Sequence, residues 1–140
     1  MTQLINNIKL FVISMIILVS IDMMWLGLIM QNFYQTHFHE INKLAESQTL
    51  IFNIPAAIAT WALITLGSML FVLPKTLNSP YNATFLWGAC FGFIAYGVYD
   101  LTNFSTIAAF SGQLALYDLA WGTVLNGILA CVIKKLNSIL

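Results

Sequence analysis

Five side chains sit where a polar group is least expected. Asp22, Asp100, Asn103, Asp118 and Asn126 each interrupt a run of apolar residues. Carboxyls gathered in a dry environment can hold a proton or a cation, or divide into an acid and a base when their surroundings differ. Insertion scales charge about 2.5 to 3.5 kcal/mol for an aspartate at the centre of a membrane helix, so three uncompensated ones would cost roughly 8 to 10 kcal/mol. No lysine or histidine lies within the same runs to pair with them. They must therefore be neutral, or face a proton, a cation or water.

Helical spacing groups these residues, because positions three or four apart share a face. Tyr96, Asp100 and Asn103 form one stripe, with Tyr99 beside it. Asp22 pairs with Trp25, and Asp118 with Trp121 and Gly122, while Asn126 follows one turn further on. The candidate ligand-binding or proton-coupling residues are thus Asp22, Trp25, Tyr96, Tyr99, Asp100, Asn103, Asp118, Trp121 and Asn126. No catalytic residue is assigned.

The elements that must position them are set by composition. Of 140 residues, 60% are hydrophobic and 7% charged, and the mean hydropathy is +0.87. No soluble surface can be assembled from that. With five lysines and no arginine, nucleic acid is not a partner to expect. Crossing roughly 30 Å of hydrocarbon takes about 20 residues, which gives four spans at about 10–30, 51–73, 85–107 and 114–133 within a single domain, 1–140. The expectation is an all-α membrane protein, a bundle of four transmembrane helices. The first run is too long for a signal peptide, carries Asp22 and is followed by no small-residue cleavage site, so it is expected to remain.

Lys9, Lys75, Lys134 and Lys135 fall on one side of such a bundle and only Lys43 on the other. The positive-inside rule then puts both termini in the cytoplasm, with a bacterial inner membrane as the natural home. Asp22, Asp100 and Asp118 all come to lie roughly 3 to 10 Å beyond their span midpoints, toward the outer face, with Asn53 of the second span near the same level. Leu73-Pro74-Lys75 reads as a helix stop, and Ser79-Pro80-Tyr81-Asn82 as turn chemistry before the third span. The 31–50 loop interleaves Phe33, Tyr34 and Phe38 with His37, His39 and Glu40, which predicts an interfacial helix.

Other features are weighed against plainer explanations. His37-x-His39-Glu40 offers too few ligands on too many faces of a helix for a metal, and no cofactor fingerprint occurs. Cys90 and Cys131 read as buried small residues. Gly88-x-x-x-Gly92 is explained by ordinary close packing better than by a dimer motif. Trp25 and Trp121 fit an interfacial belt equally well, and the shared Asp-x-x-Trp pattern of the first and fourth spans is a hint of duplication.

The run Tyr96-Gly97-Val98-Tyr99-Asp100-Leu101-Thr102-Asn103, followed by Asp118-Leu119-Ala120-Trp121-Gly122, resembles a family of small four-helix bacterial membrane proteins catalogued as a domain of unknown function. That family is marked by an early Asp-x-x-Trp-Leu motif, a proline opening the second span and a Tyr-Gly-x-Tyr-Asp-x-Thr-Asn signature. Asp22, Trp25, Leu26 and Pro55 match the first two. The resemblance covers essentially the whole chain and implies the fold. It departs at Trp61-Ala62, where a Phe-Tyr pair is common, and implies no activity.

The leading functional expectation is a protein that binds or transports a proton, a cation or a small cationic or hydroxyl-bearing ligand at the carboxylate layer, in contact with the lipid bilayer and as a homodimer if it encloses a translocation path. The alternatives are an enzyme acting on a lipid or isoprenoid, with Asp100 and Asp118 as acid and base and Tyr96 or Tyr99 positioning a polar group, and a structural or accessory subunit whose polar layer is interhelical glue.

Overall fold

The computed structural model describes residues 1–43 and 53–140, and the described residues are helical with no strand. Glu46, the rest of the 44–50 stretch and the first two positions expected for the second span lie outside the described residues. Helix α1 (Thr2–Met24) continues into a π-helical turn, Trp25–Ile29, and α2 (Gln31–Lys43) follows. Helix α3 (Ile54–Gly67) runs through a second π-helical stretch, Ser68–Val72, into the short α4 (Leu73–Thr76); α5 (Tyr81–Thr106) and α6 (Gly112–Asn137) complete the chain. Among the described residues, four continuous segments are long and apolar enough to cross a membrane: Thr2–Ile29, Ile54–Thr76, Tyr81–Thr106 and Gly112–Asn137.

The helices extend past the hydrophobic runs because their polar ends still close backbone hydrogen bonds and carry caps. Asn53 accepts from Ala56 N at 3.1 Å, and Ser111 Oγ from Leu114 N at 3.0 Å. Each side chain supplies an acceptor to an amide otherwise left over at a helix start. Asn53 is exposed and acts as that cap. Pro74 does not stop its helix as its neighbours suggested. The π-helical stretch ends at Val72, and Pro74 falls in the first turn of α4, where a missing N–H is tolerated. The chain turns only after Thr76.

Both termini and the turn before α5 share one side, here called the terminal side. Asn6 Nδ2 donates to the Leu140 carbonyl at 2.8 Å across it. Helix α6 is the hub, packing most extensively on α5 and also touching α1 and the second span. The larger core cluster joins Leu10 and Leu18 of α1, Ile64 of α3, and Leu125, Leu129 and Ile133 of α6. On the far side α2 folds over the bundle end, its Tyr34 packed with Phe110, Leu114 and Ala115.

The α5–α6 contact has a strict four-residue period. Along α5 the stripe is Asp100, Tyr96, Gly92, Gly88, Thr84, and along α6 it is Asp118, Gly122, Asn126, Ala130, Lys134. A Cβ placed on Gly122 would strike the Tyr96 ring, one on Gly92 the Asn126 side chain and the Gly122 carbonyl, and one on Gly88 the Asn126 carbonyl and Ala130 Cβ. Small residues thus sit opposite larger ones in successive layers, letting the backbones approach closely. Lys134 Nζ closes the terminal end, donating to Thr84 Oγ1 at 3.2 Å, to the Thr76 carbonyl at 2.6 Å and to the Ser79 carbonyl.

Candidate functional site

The five-layer register delivers Asp100 and Asp118 to the far end of the interface, opposite each other. Asp100 is fully buried, at 0% exposure, and among the described residues neither carboxyl oxygen has a hydrogen-bond partner. The Asp118 carboxyl lies within hydrogen-bonding reach of it. Two carboxylates cannot donate to each other, so a hydrogen bond between them requires a proton on one.

Asp118 is further held by α2. Tyr34 donates its hydroxyl to Asp118 Oδ1 at 2.7 Å, and the same phenol oxygen accepts from Trp25 Nε1 at 3.4 Å. Burial first, and then the Asp118 charge, push the Tyr34 phenol above its ordinary ionisation range. It therefore stays protonated and can act as a donor. The Trp25 ring stacks on Trp121 with centroids 4.3 Å apart and planes inclined by 4°.

Asp22 is occupied differently. Its Oδ1 accepts from Trp121 Nε1 and its Oδ2 from Trp61 Nε1, each at 2.8 Å. With one donor on each oxygen, this carboxyl ties α1 to both α3 and α6. The Tyr96 ring lies against Gly122, one turn from Asp100 on α5 and from Asp118 on α6. A polar network thus runs from Trp61 through Asp22, Trp121, Trp25, Tyr34 and Asp118 to Asp100, drawing on every membrane-crossing segment and on α2.

Of the residues singled out by spacing, Asp22, Trp25, Tyr96, Asp100, Asp118 and Trp121 come together. Asn126 does not join them. It is buried one turn toward the terminal side against Gly92, and its Nδ2 donates to the Gly122 carbonyl of its own helix at 2.8 Å. Tyr99 is exposed on α5, and Asn103 is half-buried in that helix's last turns, its carbonyl accepting from Ile107 N. Trp25 does not hydrogen-bond Asp22, its neighbour on the same face; the donors come from other helices. Two members, Trp61 and Tyr34, escaped the spacing argument. An indole in the second span and a tyrosine in an amphipathic loop carry no periodic signal for an interhelical hydrogen bond.

A family model described as "Predicted membrane protein (DUF2177)" matches residues 7–133. Neither a curated protein nor a solved structure matches the chain.

Proposed function

The chain belongs to this family of predicted membrane proteins, and from that premise we propose that it binds and exchanges a proton, or a small cation in its place, at the Asp100–Asp118 pair. One observation carries the reading: a wholly buried Asp100 with no donor on either oxygen among the described residues, beside a second carboxyl. A purely structural layer would satisfy its carboxyls with donors, as Asp22 is satisfied. A buried carboxyl without a donor, next to a second carboxyl, is stabilised by a proton or a cation held between the two.

The same proposal includes the setting. The bundle sits in a bacterial cytoplasmic membrane with both termini inside, and the carboxyl pair is approached from outside. Lys9, Lys75, Lys134 and Lys135 on the terminal side support that direction. Helix α2 lies in the headgroup region, since it turns Phe33, Tyr34, Phe38 and Ile41 onto the bundle and leaves Asn32, Gln35, Thr36 and His39 exposed.

Carboxyl infrared difference spectroscopy across the acid to neutral range tests the pair directly. The expected result is a carboxylic C=O band that titrates, responds to added cations, and is lost in both Asp100→Asn and Asp118→Asn. Bands that never change with pH, in variants that fold normally, would leave the layer as interhelical glue and end the proposal.

A further inference from the structure

Helix α2 is attached to the bundle at one end and by one face. A single residue outside both helices, Met30 at φ −114° and ψ 16°, links it to the π-helical turn Trp25–Ile29. The backbone of α2 packs chiefly on that same turn. Its hold on the far end of the bundle is made by side chains, with Phe33, Tyr34, Phe38 and Ile41 gathered against Phe110, Leu114 and Ala115. Thr36 and His37 bond to carbonyls within α2. Among the described residues, the side-chain hydrogen bonds that leave this helix meet at one atom. The Tyr34 hydroxyl donates to Asp118 Oδ1 at 2.7 Å and accepts from Trp25 Nε1 at 3.4 Å.

That hydroxyl is a plug and not a relay. To pass a proton inward it would need a proton donor behind it, and what stands there is an indole N–H, which donates a hydrogen bond but does not ionise. Tyr34 itself is 5% exposed. A proton or a cation arriving at Asp118 Oδ1 must therefore displace the phenol. Withdrawal suits this helix. Asn32, Gln35, Thr36 and His39 already face outward, and Phe33, Phe38 and Ile41 can settle into the boundary between headgroups and acyl chains when they leave the bundle end. A hinge needs only a few residues at the end of an element to absorb the change of direction. Met30 is placed to do so, and π-helical turns like the one before it recur at functional sites.

We propose that α2 is a lid on the carboxyl pair, hinged at Met30 and latched by the Tyr34–Asp118 hydrogen bond, which lifts to admit what the pair binds. A hydrogen bond to an ionised acceptor is roughly twice as strong as one to a neutral acceptor. The latch is therefore tightest while Asp118 carries a carboxylate charge, and it slackens once a proton or a cation takes that charge up. Opening and occupancy are then linked, each favouring the other. What passes under the lid rests on the proton or cation reading given above; the hinge and the latch do not.

Thiol labelling with a charged maleimide, on the protein in lipid nanodiscs, reads the lid. In a Cys90→Ala, Cys131→Ala background, Ala115→Cys puts the reporter beneath α2, where Ala115 is 7% exposed and packs with Tyr34. Gln113→Cys, exposed on the same helix, is the open reference. Ser14→Cys, at a 0% exposed position of α1, is the closed one. Ala115→Cys is expected to react severalfold more slowly than Gln113→Cys. Adding Tyr34→Phe should speed it about tenfold, the worth of a hydrogen bond to a charged acceptor. Asp118→Asn, which keeps an acceptor oxygen without the charge, should speed it less, and Ser14→Cys should stay unlabelled throughout. A rate at Ala115→Cys that neither variant changes makes α2 a fixed cap and overturns the proposal. So does reaction as fast as at Gln113→Cys with Tyr34 in place, and so does labelling of Ser14→Cys in either variant, which marks general loosening. The infrared test fails separately: gated labelling without a titrating carboxyl band removes the proton reading and keeps the lid, and a titrating band with ungated labelling removes the lid alone.

Discussion

Asp22 and Asp100 are the same residue type, each about six or seven residues from the midpoint of its span, and their surroundings are opposite. Asp22 has an indole N–H on each oxygen. Asp22→Asn must turn its amide NH₂ toward one of those indoles, losing a hydrogen bond and setting two donors face to face. Thermal unfolding in detergent should register a loss of about 1–3 kcal/mol. Asp100→Asn breaks no hydrogen bond that the described residues make and can place its NH₂ against Asp118, so it should cost less than Asp22→Asn, under about 1 kcal/mol. Equal losses in the two variants would make both aspartates structural. Tyr34→Phe deletes the bond to Asp118 and should cost about 1–2 kcal/mol. The pH dependence has a definite sign. An unfolded phenol ionises near pH 10, whereas the folded Tyr34 phenol holds its proton beyond that. Alkali above about pH 10 therefore favours unfolding, and the Tyr34 contribution, fully present below that pH, is lost as pH rises. In Tyr34→Phe this part of the alkaline slope should disappear. Spacing within one helix revealed Tyr96 with Asp100 and Asp118 with Trp121. It could not reveal Trp61 or Tyr34, because a donor that arrives from another segment leaves no mark on its own segment's periodicity.

At the scale of the element, the α5–α6 register decides whether Asp100 meets Asp118 at all. Gly88-x-x-x-Gly92 was legible as a packing face, and its partner is α6 of the same chain. Of the matching stripe on α6, spacing grouped Asp118, Gly122 and Asn126, but its continuation through Ala130 to Lys134 was not legible, because an alanine and a terminal lysine carry no composition that ties them to that face. Gly88→Ala and Gly92→Ala each drive a Cβ into backbone or the Asn126 side chain, and overpacking of this kind typically costs 1–3 kcal/mol. Gly27→Ala meets nothing within 4 Å and should be neutral or slightly stabilising. Parallel thermal melts separate the three variants. If Gly92→Ala also suppresses the titrating carboxyl band while the protein remains folded, the register is what positions the pair. Pro74 shows the converse limit of sequence reading. A proline ends a helix on average, but a preceding π-helical stretch resets the hydrogen-bond ladder, and nothing in Ser68–Val72 announces that stretch.

For the whole molecule, the crossing direction decides which aqueous phase the carboxyl layer faces, and so few charges bear on it that each matters. The four terminal-side lysines stand against Lys43 alone on the far side. Lys134 is bound in the folded protein by the Thr76 and Ser79 carbonyls and Thr84 Oγ1, yet it still counts, because orientation is chosen during insertion, before that clasp exists. A fluorescent protein fused after Leu140 should fold and fluoresce inside the cell, and a phosphatase fused there should be inactive. Neutralising Lys9 and Lys75 together halves the bias; a mixed population is then expected, with both reporters partly active. An active phosphatase on the unaltered chain would invert the molecule, turning the carboxyl pair toward the cytoplasm. The bundle's internal geometry would survive that inversion, but a proton taken up at Asp118 would then come from the cell.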